Sequence, residues 1–74
     1  MTDFQMIALR AAQRGEHPGR ALEKAIAGRR EAQRIATRTV TQLINRGFLV
    51  RPPGDWFNPK LTDAGREALA WRLP

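Results

Sequence analysis

The sequence predicts a mostly helical α+β fold: a three-helix core, a small two-stranded β-hairpin and a C-terminal helix. Three observations predict it. Apolar residues recur at helical spacing in four separate stretches. Gly15, Gly28 and Gly47 punctuate the first three of them where helices stop. Pro52-Pro53-Gly54-Asp55 then separates two extended segments with turn chemistry, Pro presetting φ and Gly accepting φ > 0. At 74 residues the chain reads as one domain over residues 1–74, too short for a two-domain enzyme with a deep cleft.

Each element has its own warrant. Thr2 as N-cap with Gln5 at N3 forms a capping box, so the first helix reads from about Asp3 to Arg14. Phe4, Ile7, Ala8, Ala11 and Ala12 make its apolar stripe. Glu16-His17-Pro18-Gly19 reads as a turn, because Pro18 biases His17 towards an extended conformation. The second helix reads from about Arg20 to Ala27, with Ala21, Leu22, Ala25 and Ile26 on one side. Two short helices joined by Gly-containing turns are what a helix-turn-helix core requires before its third helix.

The third helix reads from about Arg29 to Arg46, with Ala32, Ala36, Val40 and Leu43 sharing a face and Ile35, Thr39 and Ile44 on its margins. Phe48-Leu49-Val50 leads a strand, and Trp56 to Leu61 reads as its return, with Phe57, Pro59 and Leu61 on one face. Pro59 confines that strand to an edge. Phe57 is expected in the core, whereas Trp56 is open between core and surface. Thr62 caps the final helix, Asp63 sits at its positive end, and Ala64, Ala68 and Trp71 form the expected inward stripe as far as about Arg72.

Thirteen Lys+Arg against seven Asp+Glu give a net charge of +6, which points to an acidic partner. Eleven of the thirteen are Arg, suited to bidentate phosphate and guanine contacts, although a GC-rich coding sequence accounts for that bias equally well. The absence of Cys excludes disulfides and fits a reducing, cytoplasmic setting. No apolar run approaches the roughly 18 residues of a membrane span, and Met1-Thr2-Asp3 opens without the basic stretch of a signal peptide. Apolar residues make up 42% of the chain, but eleven of them are Ala, so the core is thin and a homodimer or a bound partner is expected. One His and scattered single acids give neither a nucleophile–base pair nor a ligand set, so no enzyme, cofactor or metal site is predicted.

The third helix carries the functional signal. Opposite its apolar face stand Arg30, Arg34, Thr37, Arg38, Thr41 and Asn45, with Gln42 at the edge and Glu31 peripheral. A solvated helix normally mixes charge signs, and this face does not.

The order helix, helix, helix, hairpin, helix resembles the winged helix-turn-helix family. Thr39-Val40 followed by Leu43-Ile44-Asn45-Arg46-Gly47-Phe48-Leu49-Val50 is similar to that family's recognition helix running into its first wing strand. Leu61-Thr62-Asp63-Ala64-Gly65-Arg66-Glu67-Ala68-Leu69 is similar to the segment after the wing in MarR-like bacterial transcription regulators. The likeness covers about Val40 to Leu69, and the first half only by element order. The stretch between the second helix and Val40 is longer than the family's usual turn, which leaves the start of the third helix open. The long flanking helices by which MarR-like proteins dimerise and bind small ligands have no counterpart here. The expectation is a minimal stand-alone form, of the kind suited to a phage, plasmid or small regulatory system.

The resemblance implies double-stranded DNA as partner, with the third helix in the major groove and the wing on the flanking backbone. Thr37, Arg38, Thr41, Gln42 and Asn45 are the candidate base readers, because Arg reads guanine, Asn and Gln read adenine, and Thr meets a thymine methyl. Arg29, Arg30, Arg34, Arg46, Arg51 and Lys60 are candidate phosphate contacts. Two alternatives share the same charge: a protein-interaction winged helix that occupies a host nucleic-acid-binding complex, and an RNA-binding module. Trp56 exposed beside a contiguous apolar patch would favour a protein partner, for which Trp71 is a second candidate contact.

Overall fold

The computed structural model describes residues 1–72; the last two positions of the predicted unit lie outside the described residues. The chain runs α1 (Asp3–Gln13), α2 (Pro18–Ala25), α3 (Ala32–Asn45), β1 (Leu49–Val50), β2 (Lys60–Leu61) and α4 (Asp63–Arg72). Among the described residues it is an α+β fold of four helices and one two-stranded antiparallel hairpin. No helix among the described residues is long and apolar enough to cross a membrane.

The predicted capping box starts α1: the Gln5 N–H donates to Thr2 Oγ1 at 3.2 Å, and Gln5 Oε1 accepts from the Thr2 N–H at 3.1 Å. Gly15, at φ +82°, turns the chain where a side chain would be strained. Beside it, a 2.8 Å hydrogen bond from Arg14 and that guanidinium's charge hold the Glu16 carboxyl below its ordinary pKa.

The second helix starts earlier than the sequence suggests. Pro18 is its first residue, not part of a turn, because the first helical N–H has no intrahelical acceptor and Pro lacks none that is needed. His17 serves as its N-cap, with Nδ1 accepting from the Arg20 N–H at 3.2 Å. The third helix starts later than expected, at Ala32. Turns over residues 26–31 intervene, and Glu31 stands at φ +60° without a side-chain cap. Arg29 and Arg30 therefore precede α3 and do not belong to it.

The core is one cluster. Leu9, Leu22, Leu43 and Leu49 are fully buried, joined by Ala8, Ala36, Val40, Ile26 and Leu69. Burying one such Leu stabilises the fold by about 1.5–3 kcal/mol, so this small set carries most of the apolar contribution. Thr39 is buried within it, its hydroxyl donating to the Ile35 carbonyl at 2.8 Å.

In the hairpin Leu49 faces Leu61 and Val50 faces Lys60. Leu49 points inward, and Val50 and Lys60 are exposed. The returning strand is shorter than the predicted Trp56 to Leu61. The expected Pro-Gly turn is closed by the Asp55 N–H to the Pro52 carbonyl at 3.1 Å, and a second turn, closed by the Asn58 N–H to the Asp55 carbonyl at 3.3 Å, takes the first part of the expected strand. Gly54, at φ +86°, occupies the third position of the first turn. Trp56 and Phe57 are the central residues of the second, which places Phe57 at 83% exposure and removes it from the expected core. Pro59 is buried just ahead of β2, where no ladder hydrogen bond is asked of it.

Thr62 caps α4 as expected, accepting from the Gly65 N–H at 3.0 Å. The same hydroxyl donates to the Gly47 carbonyl at 2.6 Å, and the Thr62 N–H donates to the Phe48 carbonyl at 3.1 Å. These bonds draw the start of α4 onto the start of β1. The inward stripe is consequently Gly65, Ala68 and Leu69, not Ala64, Ala68 and Trp71, and Trp71 is 86% exposed.

Candidate nucleic-acid interface

One stripe of α3, made by Ala36, Val40 and Leu43, is locked into the core. That burial fixes the helix's rotation and leaves the polar residues facing outward. Gln33, Arg34, Thr37, Arg38, Thr41, Gln42 and Asn45 are all exposed. At 1.5 Å per residue they extend along a ridge of roughly 18 Å. Gln33 was missed by the sequence reading, although its spacing of four before Thr37 was the available signal.

The charges on this ridge differ in freedom. Arg34 pairs with Glu31 at 3.2 Å, but both side chains are largely exposed, so the pair is weak and readily exchanged. Arg38 has no ion-pair partner among the described residues. It stands at the crest, beside a shallow depression shared with Gln33, Arg34 and Thr37.

Grooves flank α3 on two sides. Towards the α1 N-terminus, a groove of about 510 Å³ is lined by Phe4, Arg29, Arg38 and Gln42 among others. Arg29, although off the helix, returns to it there: its guanidinium lies 5.1 Å from the centroid of the Phe4 ring. Towards the hairpin, a smaller cleft of about 100 Å³ is lined by His17, Gly19, Thr37, Val40, Arg51 and Pro59. Arg51 is half-buried beside it. Its Nη1 donates to the Trp56 carbonyl at 3.0 Å, and its guanidinium lies 5.4 Å from the centroid of the Trp56 ring.

The fold thus gathers Arg29, Arg34, Thr37, Arg38, Thr41, Gln42 and Arg51 around α3. Asn45 and Arg46 lie at its far end, where Arg46 is the C-cap. Arg30 is exposed in the preceding turn, and Lys60 is exposed on β2 opposite Val50. The sequence places His17 in a plain turn. In the structure its Nε2 also bonds the Phe57 carbonyl, so one imidazole joins the start of α2 to the hairpin loop. With Nδ1 accepting from Arg20, Nε2 is the nitrogen that carries the proton.

Comparison with protein-family models, with curated proteins and with solved structures finds no match to this chain.

Proposed function

We propose that this chain is a double-stranded DNA-binding module of the winged helix-turn-helix kind, acting as a transcriptional regulator or a mobile-element accessory factor. The observation that carries the reading is the outward ridge of α3, where Arg34 and Arg38 alternate with Thr37, Thr41, Gln42 and Asn45 while the opposite stripe is fixed in the core. A helix with its side chains is about 10–12 Å across, and the major groove is about 12 Å wide. Arg38, exposed and without an ion-pair partner among the described residues, is the foremost base reader, with Thr37, Thr41 and Gln42 beside it. Arg29, Arg30, Arg34, Arg51 and Lys60 fit phosphate contacts that set register. Asn45 and Arg46 serve only if the helix lies along the groove for its full length. Because one such module buries little surface, two copies on a repeated site fit best.

The test is a fluorescence-anisotropy titration of a DNA duplex at several salt concentrations. If about six phosphates are neutralised, log affinity falls with log salt at a slope near −5. A flat response overturns the reading. Exposure of Trp56 and Phe57 favours a second reading, in which the loop anchors a protein partner. That reading expects affinity to survive the loss of Arg34 and Arg38.

A further inference from the structure

The hairpin loop combines two properties, exposed aromatic rings and a held backbone. Trp56 and Phe57 are the central residues of the Asp55–Asn58 turn, 66% and 83% exposed. Yet the backbone of both is held. The Trp56 carbonyl accepts from Arg51, the Phe57 carbonyl is bonded by His17, and the Arg51 guanidinium also lies over the Trp56 ring. A chain with a core this thin would gain by folding either ring inward. Here two side chains from β1's end and α2's cap fix the turn, and both aromatics stay outside.

The surroundings say what those rings suit. Arg51 and His17 also line the cleft that adjoins Thr37 on α3, so the aromatic pair sits beside the ridge. Over residues 51–60, Arg51 and Lys60 outweigh Asp55. An aromatic pair on a held turn, in positive surroundings beside a basic helix, matches the stacking platforms that take nucleobases.

We propose that Trp56 and Phe57 stack on unstacked bases, so that the preferred ligand is a DNA duplex interrupted by unpaired bases. This rests on the duplex reading for α3. The physical reason for the preference is the cost of opening a stack. Driving an aromatic wedge into an intact duplex opposes binding by the free energy of unstacking, whereas a bulge or gap has already lost it. The ridge of α3 engages the paired arm and the loop engages the interruption.

The test uses two fluorescent probes of one sequence, a fully paired duplex and the same duplex with a bulge carrying 2-aminopurine. Trp71→Phe provides the background, leaving Trp56 as the sole tryptophan. The bulged probe is expected to bind about tenfold more tightly, with quenching of both 2-aminopurine and Trp56 emission. Phe57→Ala and Trp56→Leu, each checked for an unchanged circular-dichroism spectrum, are expected to abolish that preference while leaving the paired duplex within about twofold. Equal affinity for the two probes, with binding still dependent on Arg38, overturns this proposal and leaves the duplex reading standing. Failure to bind either probe at low salt overturns both. Retained preference in the two loop variants overturns the assignment to these rings. A protein partner bound through Trp56, with no preference for the bulge, overturns it in favour of protein docking.

Discussion

Replacing Gly65 by Ala should lower the melting temperature sharply, although Ala is the better helix former. Gly65 sits in the first turn of α4, where Thr62 is held to the Gly47 and Phe48 carbonyls. A Cβ at this position would lie 2.3 Å from the Phe48 carbonyl oxygen and 2.7 Å from Leu61 Cδ1. The Leu61 methyl can rotate away, but the carbonyl belongs to backbone that the α4 cap itself engages. Relief therefore needs the start of α4 to move off β1. Overpacking costs about 1–3 kcal/mol. Weakening the two Thr62 bonds adds about 0.5–1.5 kcal/mol each. Helix propensity returns about 1 kcal/mol. The net is a loss of about 1–5 kcal/mol, from a total of about 4–11 kcal/mol for a chain of this size. In thermal unfolding followed by circular dichroism, that is a fall of about 4–40 °C. Gly28→Ala is the control: nothing lies within 4 Å of its Cβ and its φ is not positive, so it should leave the midpoint unchanged or slightly raised. A Gly65→Ala protein that melts at or above the parent temperature would refute the close-approach argument.

Further expectations follow from other sites. Glu31 holds a left-handed φ of +60° as the residue before α3, so Glu31→Gly should raise stability by about 1 kcal/mol in urea unfolding, and no gain would show that the position is unstrained. His17→Asn keeps a cap for the Arg20 N–H but cannot span to Phe57, whereas His17→Ala loses both; the difference between their unfolding midpoints should report a cap worth about 1 kcal/mol. In duplex titrations Arg38→Ala should reduce affinity by about tenfold and flatten discrimination between sequences, while Lys60→Ala should weaken all sequences alike and reduce the salt slope by about one. Equal behaviour of those two variants would remove α3 from the groove.

Local chemistry carried much of the fold in plain view. The capping box at Thr2, the stop at Gly15, the Pro-Gly turn and the Thr62 cap were all legible because each depends on contacts within a few residues. The apolar face of α3 was legible too, since its burial follows a period that a sequence displays. What failed had a common cause. Trp56 and Phe57 have strong strand propensity, but Asp55 and Asn58 close a turn around them, and the expected strand shrank to two residues. Trp71 looked like an anchor by size and spacing, yet α4 is rotated by its bonds to Gly47 and Phe48, and the smaller Gly65 faces inward instead.

The candidate site divides along the same line. The sequence by itself determined which helix carries the basic, acid-poor face and that Arg34, Thr37, Arg38 and Thr41 share it, because helical periodicity places them together. It did not fix where the helix starts, so Arg30 falls in the preceding turn and not on that face. Tertiary structure alone decided what stands beside that face. Arg29 is brought back over Phe4, Arg51 is directed to Trp56, and His17 ties the loop to α2. Those pairings are separated by 25, 5 and 40 positions, and side-chain contacts of this kind leave no period to read. They exist only once the core has set the helices and hairpin in place.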